Sequence, residues 1–563
     1  MKSISIVLSG EAGQGLQTIE EFLVEALNKS FYVFSAKDVM SRVRGGNNTV
    51  EIRVADAPIY AYQEKIDMLF LLNEHARDRL DRRIDDNTTI FAEEGAISAD
   101  FLAVRKVNQV ILPIRELAKE AGSALMANTL LFGFIAGMAG LDQAFCKGLV
   151  TKKFGARAEA ILNNNTKAFS LGYEKGTSYQ TFFGVQAVEN LPDFKIFDGT
   201  KAIGLGALAG GVNFLSAYPM SPGTGVMTYL VSKAEEFGVL VEQAEDEIAA
   251  INMAIGAWYA GARGLTTTSG GGFALMEEAI SLSGVTETPV VVHIGMRPGP
   301  GTGLPTRTEQ ADLNLAVYAG HGEFPRIVLA PGNLEDAILL SQQAFYLADK
   351  YQVPVILLSD QFLLESLGQL RHLTLSGDAL ESFVVSTDSD YKRYAITESG
   401  VSKRGVPGYG EGLVKVDSDE HDEEGQITES FEVRVLMHEK RLRKREALLA
   451  DYIKPELIGA KDYTKLIVGW GSTYGVLKEF VLAHEDQKLA FLNIKQVFPL
   501  AEELKSYFDQ AESVVVVENN ATGQLANILK LELSVPVHHR ILKYDGEPYS
   551  IEEMERRLKE VVL

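Results

Sequence analysis

The sequence of 563 residues holds a single cysteine, Cys146. One thiol excludes a disulfide framework, a cysteine-based zinc site and a self-contained four-cysteine iron–sulfur cluster. Long hydrophobic runs are also missing: none approaches the roughly 20 residues of a membrane-crossing helix. The opening MKSISIVLSGEAGQG turns glycine-rich before a signal-peptide core could form. The expectation is a cytoplasmic protein with no membrane contact. Positive charge is in the minority, with 54 Lys and Arg against 76 Asp and Glu and a net charge of −22. Nucleic acid is therefore not expected as a partner, because phosphate binding needs clustered cations. Neither GxxxxGK nor HExxH occurs, nor GDG followed by an Asn at the spacing that holds a metal diphosphate.

What is present is a repeated strand-then-helix rhythm. KSISIVLSG leads through a Gly-rich turn into LQTIEEFLVEALNKS, and FYVFSA, NTVEIRVA, DMLFLLN, TTIFAE and NQVILPI read as further strands. This predicts an α/β domain with a largely parallel sheet over residues 1–190. A second α/β unit covers 191–375, and TKLIVGWGS, KLAFLNIKQ and SVVVVENNATGQL restart the rhythm in a third over 461–563. Between them, residues 376–460 carry the acidic run VDSDEHDEEGQ and the basic run EKRLRKREAL, read as an exposed charged linker or arm. The fold class is α/β, with three domains and this linker.

Several stretches carry candidate chemistry. SAYPMSPGTG, residues 216–225, can continue neither a helix nor a central strand, so it is a tight loop held for another purpose. GEAGQG, residues 10–15, follows a strand and opens a helix; an anion site and a packing turn both fit it. SRVRGGNNT sets Arg42 and Arg44 before a Gly-Gly turn, where guanidinium groups can meet an anion. In EQAEDEIAAINMAIGAW, capping and the helix dipole explain acids at a helix start. Glu247, however, abuts a helix too small-sided and apolar for the surface, so its carboxylate is drawn inward and needs a partner. GMRPGPGTGLPTRTEQADL is a long irregular loop after the strand VVVHIG. Arg297 emerges there at the carboxyl edge of the sheet, suited to a substrate carboxylate. His293 inside that strand reads as a satisfied core residue, and Cys146 as inert packing. Glu518, Asn519 and Asn520 fit either a subunit contact or a helix cap.

These motifs resemble the alpha subunit of 2-oxoacid:ferredoxin oxidoreductases with a fused N-terminal gamma domain. AYPMSPGT is similar to the family's YPITP signature with Met220 and Ser221 in place of Ile and Thr, and GPGTGLPTRTEQ to its GPSTGLPTRTEQ loop with Gly301 for Ser. The resemblance covers essentially the whole chain. It implies a gamma-type domain over 1–190, a thiamine-diphosphate pyrimidine-binding domain over 191–375 and a transketolase C-terminal-like domain over 461–563. It further implies oxidative decarboxylation of a 2-oxoacid to acyl-CoA with ferredoxin reduction. The charged segment is similar to that of 2-oxoglutarate enzymes. By the same resemblance Glu247 hydrogen-bonds the cofactor's pyrimidine, and Tyr218 and Pro219 line its site. Arg297 holds the substrate carboxylate with Ser221 and Thr306 beside it. Arg42 or Arg44 meets coenzyme A phosphates or a distal carboxylate, as the N-terminal domain closes over the site. This chain supplies no metal ligand, so Mg²⁺ and a 4Fe-4S cluster are expected on a beta subunit, in a dimer of heterodimers. Two other readings stay open on the residues alone: a transketolase-type transferase subunit, and a non-catalytic scaffold or nucleotide-sensing subunit.

Overall fold

The computed structural model describes residues 1–11, 15–40, 46–73, 80–97, 106–373, 375 and 377–562. Twenty strands among the described residues, β1 to β20 in chain order, build three sheets. The α/β class expected from the alternating pattern is the class observed. The chain forms two compact units: Met1–Phe197 with Glu365–His372 and Ser550–Glu555, and Asp198–Leu364 with Leu373–Tyr549 and Arg556–Leu563.

The first unit holds an eight-stranded sheet in the order β6-β5-β4-β1-β3-β2-β14-β7. Its strands are β1 (Ser3–Glu11), β2 (Tyr32–Asp38), β3 (Asn47–Ala55), β4 (Met68–Leu71), β5 (Thr89–Ala92), β6 (Asn108–Ile111), β7 (Lys195–Asp198) and β14 (Leu367–Leu370). The β1, β4, β5 and β6 pairs are parallel; β1–β3, β2–β3 and β2–β14 are antiparallel. The sheet is thus mixed rather than largely parallel, because β3 follows β2 too closely for the long crossover a parallel pair requires. Gly15, at φ 73, ends the turn after β1, and a Cβ there would lie 2.0 Å from Asn128 Nδ2, so packing alone calls for glycine. The rest of that glycine loop, and Arg42 and Arg44, lie outside the described residues.

The helix Ala127–Met138 is buried on every side and packs on Glu159–Thr177. Contact is so close that a Cβ on Gly172 would sit 2.0 Å from the Leu130 carbonyl oxygen. Among the described residues no single helix is long and apolar enough to cross a membrane. Cys146 is fully buried here, and burial pushes its thiol up to about 12, in line with inert packing.

In the second unit a seven-stranded sheet runs β18-β12-β13-β11-β10-β8-β9. The strands are β8 (Phe214–Ala217), β9 (Leu240–Gln243), β10 (Gly264–Thr268), β11 (Val290–Met296), β12 (Ile327–Leu329), β13 (Pro354–Asp360) and β18 (Gln496–Phe498). All neighbours are parallel except β12 and β18. A five-stranded sheet follows in the order β15-β17-β16-β19-β20, from β15 (Glu456–Gly459), β16 (Lys465–Gly469), β17 (Leu489–Asn493), β19 (Ser513–Glu518) and β20 (His539–Leu542). Buried Val292 and Ile356 of one sheet and Val468, Leu492 and Val516 of the other belong to one continuous hydrophobic core.

The charged segment departs from the exposed arm expected of it. Its helix Phe431–Leu449 buries Met437, Lys440, Arg441, Lys444 and Leu448 along one face. Buried Glu287 accepts from Lys440 at 2.7 and 2.8 Å and pairs with Lys444 at 2.5 Å, while Glu420 pairs with Arg441 at 2.7 Å. Arg393 adds a third cation, donating to the Glu287 carbonyl oxygen at 2.6 Å. Paired cations can be buried where lone ones cannot; Glu287 comes from a distant part of the chain and Glu420 from the acidic run of the same segment.

Candidate active site

The order of the central sheet reverses between β8 and β10: the chain adds β9 on one side of β8, then returns past it to lay down β10. Open parallel sheets bind ligands in the crevice beyond the strand ends at such a point. Three segments leave the carboxyl ends of neighbouring strands here: the loop Tyr218–Gly223 after β8, Ser269 with the one-turn helix Gly270–Phe273 after β10, and the loop beginning at Arg297 after β11. They interlock closely. A Cβ on Gly223 would lie 2.7 Å from the Thr268 carbonyl oxygen, and one on Gly295 2.8 Å from Pro222 Cγ. Thr267 donates its hydroxyl to the Gly223 carbonyl at 3.1 Å.

Glu247 opens the helix Glu247–Tyr259, which is capped by Asp246 through the Ala249 amide at 2.8 Å. Ser216 ties that helix to β8 by donating to the Ala250 carbonyl at 2.6 Å. Of the four acids at this helix start, Glu242, Glu245 and Asp246 are exposed, whereas Glu247 is 4% exposed. Its Oε1 is inaccessible and has no hydrogen-bond partner. Beside it the Thr268 hydroxyl and, in the next residue, the Ser269 hydroxyl are likewise buried and unpartnered. The run Gly270-Gly271-Gly272 lets them converge: a Cβ on Gly272 would lie 2.0 Å from Thr268 Oγ1 and 2.7 Å from Glu247 Oε1. An unpaired buried acceptor costs about 1–3 kcal/mol, and more when charged. The geometry therefore calls for a ligand that donates to Glu247, whose carboxylate packs with Thr268 against Gly272 so closely that no side chain fits there.

Arg297, 8% exposed, donates to the Ser221 carbonyl at 2.7 Å and to Met220 Sδ at 3.5 Å. Burial lowers its affinity for a proton, opposed by the charge of Asp312. Ser221 and Tyr218 are exposed on the loop, Pro219 is half-buried, and Ser221 meets Arg297 through its carbonyl. Thr306 stands half-buried on the 297–312 loop, which is fastened through its neighbours instead. The Thr308 hydroxyl accepts from Phe362 N at 3.3 Å, and Gln310 bonds to the Trp470 carbonyl at 2.8 Å and the Asn519 amide at 2.8 Å.

Asn519 and Asn520 thus hold this loop, and Asn520 also caps the following helix through Gly523 N at 2.8 Å. Glu518 accepts from Trp470 Nε1 and from the Leu525 and Ala526 amides, a structural role. His293 is a satisfied core residue, bonded to Thr267 at 2.8 Å and Ser359 at 2.7 Å, and burial takes its pKa down to about 3.

Three features were not singled out in the sequence: the glycine turn with Thr268, and the carboxyls of Glu309 and Asp312. Burial raises Asp312 to about 6 against the pull of Arg297, and burial together with Asp312 and Asp545 raises Glu309 to about 7. The run TTTSGGG directly after a strand was a usable signal for the first. Nothing in TEQADL marked either acid, both half-buried, as lifted by its surroundings.

Residues 205–440 match the family described as pyruvate flavodoxin/ferredoxin oxidoreductase, thiamine diP-bdg, and residues 5–175 match pyruvate ferredoxin/flavodoxin oxidoreductase. The chain is 30% identical to a 2-oxoacid:ferredoxin oxidoreductase subunit alpha of a Sulfolobus species, over 99% of this chain and 97% of the relative. It is 34% identical to 2-oxoglutarate synthase subunit KorA of Archaeoglobus fulgidus, over 59% of this chain and 90% of that one. Among solved structures, a 2-oxoglutarate:ferredoxin oxidoreductase from Magnetococcus marinus, with 2-oxoglutarate, coenzyme A and succinyl-CoA bound, superposes with a TM-score of 0.92 at 30% identity and full coverage of both chains.

Proposed function

The chain belongs to the family of 2-oxoacid:ferredoxin oxidoreductase alpha subunits, and we propose that within it the chain acts on 2-oxoglutarate and turns over only with a beta subunit. The reaction converts a 2-oxoacid and coenzyme A to acyl-CoA and CO2 while reducing ferredoxin, with thiamine diphosphate as cofactor. The single observation that carries the assignment of the site is the buried, unpartnered Oε1 of Glu247, packed against Gly272. Thiamine diphosphate bound there would supply the carbon nucleophile and the electron sink that decarboxylation needs.

This chain's residues serve that chemistry by position and charge. Glu247 holds a proton at the pyrimidine ring nitrogen, satisfying its own buried oxygen in doing so. The Tyr218-Pro219 wall excludes water from the same ring. Arg297 receives the carboxylate next to the keto carbon, and the hydroxyls of Ser221 and Thr306 donate beside it. Ser221 keeps the hydroxyl of the usual Thr without its methyl, leaving a slightly roomier pocket. Arg42 or Arg44 takes the phosphates of coenzyme A or the distal carboxylate of the substrate.

The division of labour continues on the partner. A chain whose one cysteine is buried has no ligand set for a 4Fe-4S cluster, which we assign with Mg²⁺ to the beta subunit, in a cytoplasmic dimer of heterodimers. With a net charge of −22 this subunit repels an acidic ferredoxin, so electron delivery falls to the partner as well. The test is anaerobic reduction of a low-potential dye by the assembled subunits, across several oxoacids with and without coenzyme A. The highest kcat/KM is expected for 2-oxoglutarate. A higher value for pyruvate overturns the substrate assignment, and no reduction with any oxoacid overturns the site.

A further inference from the structure

A row of hydrogen bonds crosses the central sheet next to the site. Thr267, His293 and Ser359 stand on the neighbouring strands β10, β11 and β13, and all three are buried. Thr267 Oγ1 lies 2.8 Å from His293 Nδ1, and Ser359 Oγ lies 2.7 Å from Nε2. At the other end the Thr267 hydroxyl reaches the Gly223 carbonyl at 3.1 Å, and a carbonyl can only accept.

The supply of protons orders this row. Burial alone takes the pKa of His293 down to about 3, so the ring is neutral and carries one proton. Thr267 and Ser359 bring one each. A single order uses all of them: Ser359 donates to Nε2, Nδ1–H donates to Thr267, and Thr267 donates to Gly223. With the ring proton on Nε2 instead, Thr267 must turn its hydroxyl to Nδ1 and the Gly223 bond is lost. The Ser359 hydroxyl, which makes no other hydrogen bond among the described residues, would then hold its proton unused in the core.

The row ends on a loop of the site. Gly223 closes the loop Tyr218–Gly223 and is wedged between strands: a Cβ on it would lie 2.9 Å from Thr267 Oγ1, and one on Gly295 would lie 3.1 Å from Gly223 N. The Ser221 carbonyl of the same loop accepts from Arg297 at 2.7 Å. Arg297 directly follows β11, the strand that carries His293, so the loop is fastened to one strand at two points. We propose that His293, with its proton on Nδ1, is a positioning residue: through Thr267 it fixes the Gly223 carbonyl, and so sets Ser221 against Arg297 where a substrate carboxylate binds. The inference rests on the reading of Arg297 as the substrate-carboxylate ligand.

The direction of the row makes the role testable. Asn bears its amide nitrogen on Cγ, the atom that bears Nδ1, and can still donate to Thr267. The Gln nitrogen sits one carbon further out, in the place of Nε2. The experiment is steady-state kinetics of the assembled holoenzyme, with 2-oxoglutarate and coenzyme A varied in turn. His293→Gln should raise KM for the oxoacid about tenfold, and His293→Asn by no more than about threefold. KM for coenzyme A should keep its wild-type value in both, which a general loosening of the core would not allow. Arg297→Ala should raise KM for the oxoacid at least about 30-fold. An unchanged KM in Arg297→Ala overturns the reading of Arg297 itself. A raised KM there, combined with an unchanged KM in His293→Gln, with Asn no better than Gln, or with a matching rise in KM for coenzyme A, overturns the positioning role alone. Should the His293 variants fail to fold, Thr267 still decides. Thr267→Ser keeps the hydroxyl and should keep the wild-type KM, whereas Thr267→Val should raise it about tenfold. Equal KM values in those two refute the role.

Discussion

Gly272→Ala tests the site with one added methyl group. The new Cβ would lie 2.0 Å from Thr268 Oγ1, 2.7 Å from Glu247 Oε1 and 3.0 Å from Glu247 Cγ. Ordinary contact needs about 3.5–4.0 Å, so something must yield. Thr268 is β-branched, fully buried and set at the end of a central strand, and has one stiff torsion. Glu247 has three soft torsions and gives way first. Its carboxylate then shifts on the order of 1 Å, and a displacement of that size at a positioned group costs about 100-fold in rate. Overpacking adds a stability loss of about 1–3 kcal/mol, too small to unfold the chain. The expected result in the assembled enzyme is kcat down about 100-fold with near-native circular dichroism. Adding Thr268→Ala should recover part of the activity, because the pair shares one clash and is not additive. Wild-type kcat in Gly272→Ala would refute the placement of Glu247 at the reaction centre.

Other predictions address the acid, the loop, the buried ion cluster and pH. Glu247→Gln keeps the shape but not the charge, and should lower kcat by about 100- to 10,000-fold with little change in melting temperature. Gln310→Ala removes the bonds to Trp470 and Asn519 that fasten the 297–312 loop. It should raise KM for the oxoacid about tenfold, more than it lowers kcat, as read from steady-state kinetics. Glu287→Gln strands Lys440 and Lys444 without their carboxylate, while Arg393 keeps the backbone carbonyl of residue 287, and should cost about 3–5 kcal/mol in urea unfolding. For Asp312, burial raises the folded pKa above the unfolded value, so the folded chain binds more protons between about pH 4 and 6, and stability falls as pH rises through that window. Asp312→Asn should remove that fall, gaining up to about 2 kcal/mol at pH 8 relative to wild type, measured by urea midpoints at pH 5 and 8.

The local patterns carried a good deal of this. Glu247 was legible because the helix it opens is rich in Ala, Gly and Ile, and the structure buries it on the face of Ala250, Ile251 and Ala254 and leaves its three acidic neighbours outside. His293 was legible as core because it interrupts a continuous apolar strand, and Thr267 and Ser359 satisfy it. The loop at residues 216–225 was legible as a purposeful turn from its prolines and glycines.

Features that depend on pairing between distant segments were not legible. The strand Leu367–Leu370 and the segment Ser550–Glu555 join the first unit, with Ser550 bonding to Glu64 at 2.9 Å across 486 residues. The basic helix read as exposed because its buried partner Glu287 lies 153 residues from Lys440 in the chain. Likewise TEQADL looks like any polar loop until Gly270 is brought against Asp312. Periodicity and side-chain chemistry, which act over a few residues, settled the α/β rhythm, the inward acid and the absence of cluster ligands. Tertiary packing alone decided which acids lie in low dielectric beside which cations, because a carboxyl's charge state depends on neighbours and water exclusion that chain order does not encode.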